Sequence, residues 1–219
     1  MTLGFFCVFR RDPQPYALAA RLVASARRIL PDVPIVQFTD PTSPPVPGVT
    51  SVARGPRLPM LESRLTHYAT CEGDWLLVDT DVELRQDVSA VFPPHAFDLA
   101  VADRNWPGMP QGDEVMLSMP FNTGVVFSRN PAFWQTALAT WQAYPADTRD
   151  WLSEQRAVYD TIRTGRFLVQ ILPGQVYNYP PRGPDDPCTG AAIVHHKGPL
   201  RKDWYLARSA AIDPAPALV

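Results

Sequence analysis

Short apolar runs alternate with segments of helical spacing from the amino terminus onward, and this alternation restricts the fold more tightly than any other feature of the chain. Leu3 to Phe9 reads as a strand. Tyr16 to Leu30 carries Leu18, Leu22, Val23, Ala26, Ile29 and Leu30 at helical spacing and is stopped by Pro31. "IVQFTD" is a second strand and Val49 to Ala53 a third. Met60 to Thr70 follows as a helix with Leu61, Leu65, Tyr68 and Ala69 on one face, and Trp75 to Val78 is the next strand. Strand and helix in alternation predict an α/β fold, a mostly parallel twisted sheet flanked by helices. In such sheets ligands bind beyond the carboxyl ends of the strands, where Asp79 and Asp81 of "WLLVDTDVEL" fall.

The second half is less regular. "FDLAVADR" and "FNTGVVFSR" read as strands, separated by "NWPGMPQGDEVMLSMP", a loop rich in glycine and proline that would close over a ligand. Pro131 to Trp141 and about Asp150 to Ile162 read as helices, "RFLVQILP" and "GAAIVHHKG" as strands, and "DPAPALV" as a loose tail. A chain of 219 residues suits one lobed domain, and its formal charge of -2 gives no signature of a nucleic-acid partner. No apolar run approaches the roughly 20 residues that span a bilayer, so no transmembrane segment is expected. Cys7, Cys71 and Cys188 are odd in number and lack metal spacing, so they read as reduced packing residues of a cytoplasmic protein.

Burying carboxylates without partners is costly, so an apolar strand ending in Asp-x-Asp needs something positive against it. Oxygen ligands of this kind suit Mg²⁺ or Mn²⁺, with substrate phosphates completing the shell. A turn with solvated acids explains the same spacing equally well. In "AAIVHHKGPLRKDW" an apolar strand ends in His195 and His196 beside Lys197, Arg201 and Lys202. An imidazole joining two carboxylates favours Mn²⁺, and the basic residues suit phosphate. Asn122, Thr123 and Gly124 open the strand of "FNTGVVFSR", a composition that also makes a tight turn. Gln155 falls within the stripe of Trp151, Leu152, Val158, Tyr159 and Ile162, so its amide is expected to be buried and to need a partner.

Taken in order, these motifs resemble the GT-A nucleotide-sugar glycosyltransferases, a Rossmann-like fold, and are most similar to the retaining family 8 that contains bacterial galactosyltransferases and glycogenin. The matching stretches are Asp79-Thr80-Asp81, "FNTGV" from Phe121 to Val125, Glu154-Gln155, and "HHKGPLRKDW". The resemblance implies a single domain over residues 1–206, with a nucleotide-binding half at 1–104, an acceptor half at 105–206 and a tail at 207–219. It also implies a divalent ion on Asp79, Asp81 and His195, with His196 as the alternative third ligand. Lys202 and Lys197 would meet the diphosphate, and Arg64, Asp103, Thr80, Thr123, Gly124 and Gly198 would border the donor. The nucleoside would lie near Phe9 and Asp40, and Asn122 and Gln155 would line the sugar, with Gln155 and Glu154 at the catalytic centre. Glu154 stands where the family has aspartate, Asp203 where proline is usual, and one extra residue separates Gly198 from Lys202.

The activity so implied is transfer of a hexose, with retention, from a nucleotide-diphosphate sugar such as a UDP-sugar to an acceptor hydroxyl. That hydroxyl could belong to a saccharide, a protein, a metabolite or a modified DNA base. Acceptor contacts are expected from Asn105 to Pro120, with Trp106, Gln111, Asp113 and Glu114. A haloacid-dehalogenase-like phosphohydrolase also ends a strand in Asp-x-Asp, but there the strand lies near the amino terminus. A non-catalytic nucleotide-sugar binding protein is the other alternative.

Overall fold

A computed structural model describes residues 1–9, 12–92, 96–104 and 120–210. Its elements run β1 (Thr2–Phe6), α1 (Gln14–Ile29), β2 (Ile35–Thr39), β3 (Ser51–Arg54), α2 (Met60–Tyr68), β4 (Trp75–Val78), β5 (Val82–Leu84), β6 (Leu99–Asp103) and β7 (Phe121–Ser128). There follow α3 (Pro131–Ala143), α4 (Ser153–Arg163), β8 (Val169–Leu172), α5 (Gly174–Tyr177), β9 (Ile193–His195) and α6 (Pro199–Ala210). Seven strands form one sheet in the order β3-β2-β1-β4-β7-β6-β8, and β5 pairs with β9 in a separate ribbon. β7 runs antiparallel to both its neighbours, and every other pairing in the large sheet is parallel. The mostly parallel sheet with flanking helices is the one the sequence alternation predicts. Residues 105–119, including Trp106, Gln111, Asp113 and Glu114, and the "DPAPALV" tail lie outside the described residues. The helix α6 runs past residue 206 into the stretch read as tail.

The sheet is apolar on both faces, as a sheet covered by helices must be. Along β4, Leu76 and Val78 join Leu3, Phe5, Leu22 and Phe127 on the α1 side, whereas Leu77 joins Leu65, Val126, Phe133 and Trp134 on the α2 and α3 side. β7 divides in the same way, with Val125 and Phe127 to one face and Val126 to the other. The helices are started by local chemistry. Pro131 at the first turn of α3 follows Asn130, whose side chain accepts from the Ala132 amide at 2.9 Å. Trp134 is fully buried on this helix, and its indole N–H donates to Ser128 Oγ of β7 at 2.8 Å, so a large apolar ring enters the core with its polar atom satisfied.

Three elements, β5, α5 and α6, escape the sequence reading. β5 is three residues long, too short for a pattern, and is pinned by tertiary contacts. The hydroxyl of Ser25, buried on α1, accepts from the Leu84 amide at 3.1 Å, and Val82, Glu83 and Leu84 register against His195, Val194 and Ile193. The stripe of α4 is also displaced from its expected phase. Glu154, with Ser153, Ala157, Val158 and Thr161, is buried, while Gln155 is only half-buried and Trp151 is exposed. The helix begins at Ser153, so Trp151 lies in the preceding turn and the helical period does not reach it. All three cysteines are buried and free, and burial raises the thiols of Cys7 and Cys71 to about 12. Among the described residues no helix is long and apolar enough to cross a membrane.

Candidate metal centre and donor cleft

Strand parity decides where the first aspartate points. Because Leu77 faces α2, Asp79 two residues later faces it as well, and Arg64 of α2 meets it with an Nη1 to Oδ1 distance of 2.7 Å. The chain then turns through Thr80 and Asp81 before β5, so the pair does not continue as extended strand. The two carboxylates nevertheless converge, and the β5-β9 ribbon explains how. Its register sets Val82 against His195, and the His196 amide donates to the Asp81 carbonyl at 2.9 Å. His195 Nε2 therefore stands 3.1 Å from Asp81 Oδ1 and 3.6 Å from Asp79 Oδ2. Ligand atoms of Asp79, Asp81 and His195 all lie within 4.8 Å of one another, a group able to hold a divalent ion. His196 points elsewhere, with Nε2 3.5 Å from Glu83 and its ring stacked on Tyr205 at 3.9 Å.

The hydrogen bonds fix the tautomer of His195. The backbone N–H of Gly124 can only donate, and it donates to Asn122 Oδ1 at 3.1 Å. Asn178 must then present Nδ2 to that same oxygen, at 3.0 Å, and its Oδ1 to His195 Nδ1, at 2.8 Å. Nδ1 consequently carries the proton, and Nε2 turns a lone pair toward two carboxylates. Burial, the largest influence, lowers the pKa of His195 and favours the neutral ring. Lone pairs facing one another at this distance call for a cation between them, so the donor set fits a resident metal.

Charges around the centre are matched. Burial opposes ionisation of Asp81, while Lys202, whose Nζ lies 3.2 Å from Oδ2, favours it. Arg64 also donates to the Thr123 carbonyl at 2.8 Å and approaches Glu154 Oε1 at 3.3 Å. That last approach is too poorly aligned to count as a hydrogen bond, which leaves Glu154 Oε1 and Arg64 Nε without one. Glu154 is pushed up to about 7, by burial first, with Asp79 adding to it and Arg64 opposing. Gly124 shows how closely the centre is packed. A Cβ there would stand 2.1 Å from His195 Cε1, 2.6 Å from Asp79 Oδ2 and 2.8 Å from Asn122 Oδ1.

These groups open into a cavity of about 280 Å³. Of the residues singled out in the sequence, Arg64, Asp79, Thr80, Asp81, Asn122, Thr123, Gly124, Glu154, Gln155, His195, Lys197, Gly198 and Lys202 line it. Gln155 accepts from Arg104 in a short contact and from Asn122 Nδ2 at 3.4 Å. Phe9, Asp40 and Asp103 do not line it. Phe9 packs edge-on against Tyr16, Asp40 accepts from the Thr42 and Ser43 amides at 3.0 and 2.7 Å, and Asp103 accepts from the Gly174 amide at 2.8 Å. Asn178 and Arg104 go unnoticed in the sequence. Nothing in "QVYNYPP" has a period, and the role of Asn178 exists only once α5 meets β9 and β7.

A mostly parallel sheet with one reversed strand, carrying an Asp-x-Asp turn at the end of β4, is the architecture of the GT-A glycosyltransferases, and this chain has that fold. Among solved structures it is similar to a glycosyltransferase involved in glycosylation of the major capsid of PBCV-1, at 13% identity and a TM-score of 0.62, over 95% of this chain and 100% of that one. The galactosyltransferase LgtC, solved with donor and acceptor sugar analogs, gives 13% identity and 0.60 over 100% and 97%. The glycosyltransferase GlyE of Streptococcus pneumoniae gives 14% and 0.62 over 93% of this chain and 59% of that one. No protein-family model matches the chain, nor does any curated protein.

Proposed function

We propose that the chain is a metal-dependent hexosyltransferase that uses a nucleotide-diphosphate sugar, a UDP-sugar in the first instance, and transfers the hexose with retention to an acceptor hydroxyl. The observation that carries this reading is the convergence of Asp79, Asp81 and a neutral His195 beside Arg64 and Lys202, at the carboxyl end of β4 in a glycosyltransferase fold. In the reaction the bond from the anomeric carbon to the phosphate oxygen breaks, the nucleoside diphosphate leaves with that bond's electron pair, and a bond to the acceptor oxygen forms as its hydroxyl gives up a proton. Mn²⁺ or Mg²⁺ held by Asp79, Asp81 and His195 would supply Lewis acidity toward the diphosphate. Arg64 holds Asp79 in place through their ion pair, and Asn178 keeps the His195 lone pair turned inward. Lys202 is held by Asp81 and is within reach of an arriving diphosphate, with Lys197 in the same wall. Asn122 and Gln155, joined to one another, offer amides to the hexose, and Glu154 lies one residue away with an oxygen free of hydrogen bonds. Polar groups fixed before substrate arrives cost no reorganisation during the reaction.

The test is turnover of UDP-glucose and UDP-galactose by the purified chain with Mn²⁺, with EDTA, and in Asp81→Ala. Loss of UDP release by more than about a hundredfold in EDTA and in Asp81→Ala is expected. Metal-independent turnover would overturn the reading. UDP binding by calorimetry without any turnover would replace it with a binding protein.

A further inference from the structure

Trp151 is 71% exposed, the highest value of any large apolar side chain among the described residues, yet it lines the cavity that holds the metal centre. The turn beneath it is firmly built. Asp150 Oδ1 accepts from the Leu152 amide at 3.0 Å and from Arg156 at 2.7 Å. Ser153 is fully buried, donates its hydroxyl to the Asp150 carbonyl at 2.6 Å and accepts from the Trp141 indole at 2.8 Å. Trp151 thus stands on a hydrogen-bonded turn at the edge of the cavity, with most of its side-chain surface open to solvent. One helical turn further on, Glu154 offers a buried oxygen without a hydrogen bond, and Gln155 borders the same space.

We propose that Trp151 is the platform on which the acceptor sits, and that the acceptor is a pyranoside. A pyranose ring has a face of C–H groups and a rim of hydroxyls. It matches a largely exposed indole, whose π faces are negative, next to polar groups lining the same cavity. A linear hydroxyl compound or a peptide side chain would leave most of the indole uncovered. The position separates this ledge from the donor's nucleoside. β1 and β2, where the nucleoside is expected, lie on one side of β4 in the sheet, whereas α4 packs on β7, the neighbour of β4 on the other side. A ligand on Trp151 reaches toward the metal centre from across the donor.

This inference rests on the transferase reading above, and the experiment keeps the two apart. Saturation-transfer NMR would be recorded with methyl β-galactoside, methyl α-glucoside and methyl β-N-acetylglucosaminide, against wild type, Trp151→Ala and Trp151→Phe, in Mn²⁺ and UDP. A serine peptide, glycerol and uridine serve as comparison ligands. At least one pyranoside should show ring C–H saturation that is lost in Trp151→Ala and kept in Trp151→Phe. With active enzyme, the acceptor KM should rise about tenfold in Trp151→Ala, well beyond any change in the donor KM, and recover in Trp151→Phe. Failure of UDP-sugar turnover with pyranoside binding still dependent on Trp151 would count against the transferase reading alone. Absence of pyranoside binding, binding indifferent to Trp151, or preference of the indole for uridine or the peptide would overturn the platform.

Discussion

Replacing Gly124 by alanine adds one methyl group at the point where the metal centre is most crowded. The new carbon would lie 2.1 Å from His195 Cε1, so reaching an ordinary contact of about 3.5 Å requires a displacement of roughly 1.4 Å. None of the neighbours has that freedom. His195 is buried and tied through Asn178 to Asn122, and Asn122 Oδ1 is itself 2.8 Å from the added carbon. Gly124 lies in β7 between β4 and β6, and its carbonyl accepts from the Asp79 amide at 2.9 Å. Metal ligands tolerate errors of about 0.2 Å, so a shift several times larger should lower Mn²⁺ affinity at least about a hundredfold. Overpacking should cost about 1–3 kcal/mol, lowering the melting temperature by about 2–12 °C for a domain of this size. Electron paramagnetic resonance titration of Mn²⁺ reads the first effect and a circular dichroism melt the second. Gly183→Ala is the control, since nothing lies within 4 Å of a methyl group there. A folded Gly124→Ala protein binding Mn²⁺ within threefold of wild type would refute the crowding argument and, with it, the assignment of these three ligands.

Asn178→Ala frees the His195 ring to rotate and to change tautomer, and Mn²⁺ affinity should fall about 10-fold to 100-fold, while Asn178→Asp, which keeps the acceptor, should recover part of it. Titrations of both variants by the same resonance method decide this, and equal affinities in all three proteins would contradict it. Glu154 has a folded-state pKa near 7 against an ordinary value of 4.5, so between those values the folded protein keeps a proton that the unfolded chain has lost. Stability should therefore fall as pH rises through that window, by at most about 3 kcal/mol from this residue. Glu154→Gln should remove that slope, giving a stability gain over wild type that grows from pH 5 to pH 8 in urea melts. A constant difference across that range would show that Arg64 keeps the carboxylate ionised throughout.

The legible parts of this protein were those with a period. α1 announces itself through Leu18, Leu22, Val23 and Ala26, and β4 through an unbroken apolar run, because a helix stripe and a doubly covered strand each impose a local repeat. Asp79, Asp81 and His195 were legible as ligand types because each ends an apolar strand, and a strand end in such a sheet is where ligands meet it. Asn178 and Arg104 carried no such signal, since a lone amide or guanidinium acquires meaning only from what folding sets against it. Trp151 was misread for the complementary reason. Its spacing continues the stripe of α4, and only the start of the helix at Ser153 excludes it.

By itself the sequence determined the main alternation of strands and helices, the apolar strands of the sheet, and the kinds of atom offered at its carboxyl edge. All of these follow from residue type and short-range period. Only tertiary structure gives the reason that His195, the ligand implied by the resemblance, and not His196 faces the aspartates, because the two differ in the side of the ribbon on which β5 pairing sets them. It also decided that Gly124 must remain bare, that the proton of His195 sits on Nδ1, and that Glu154 rather than Gln155 is buried. Each of these depends on atoms far apart in the chain, and no local pattern encodes a distance between strands before they pair.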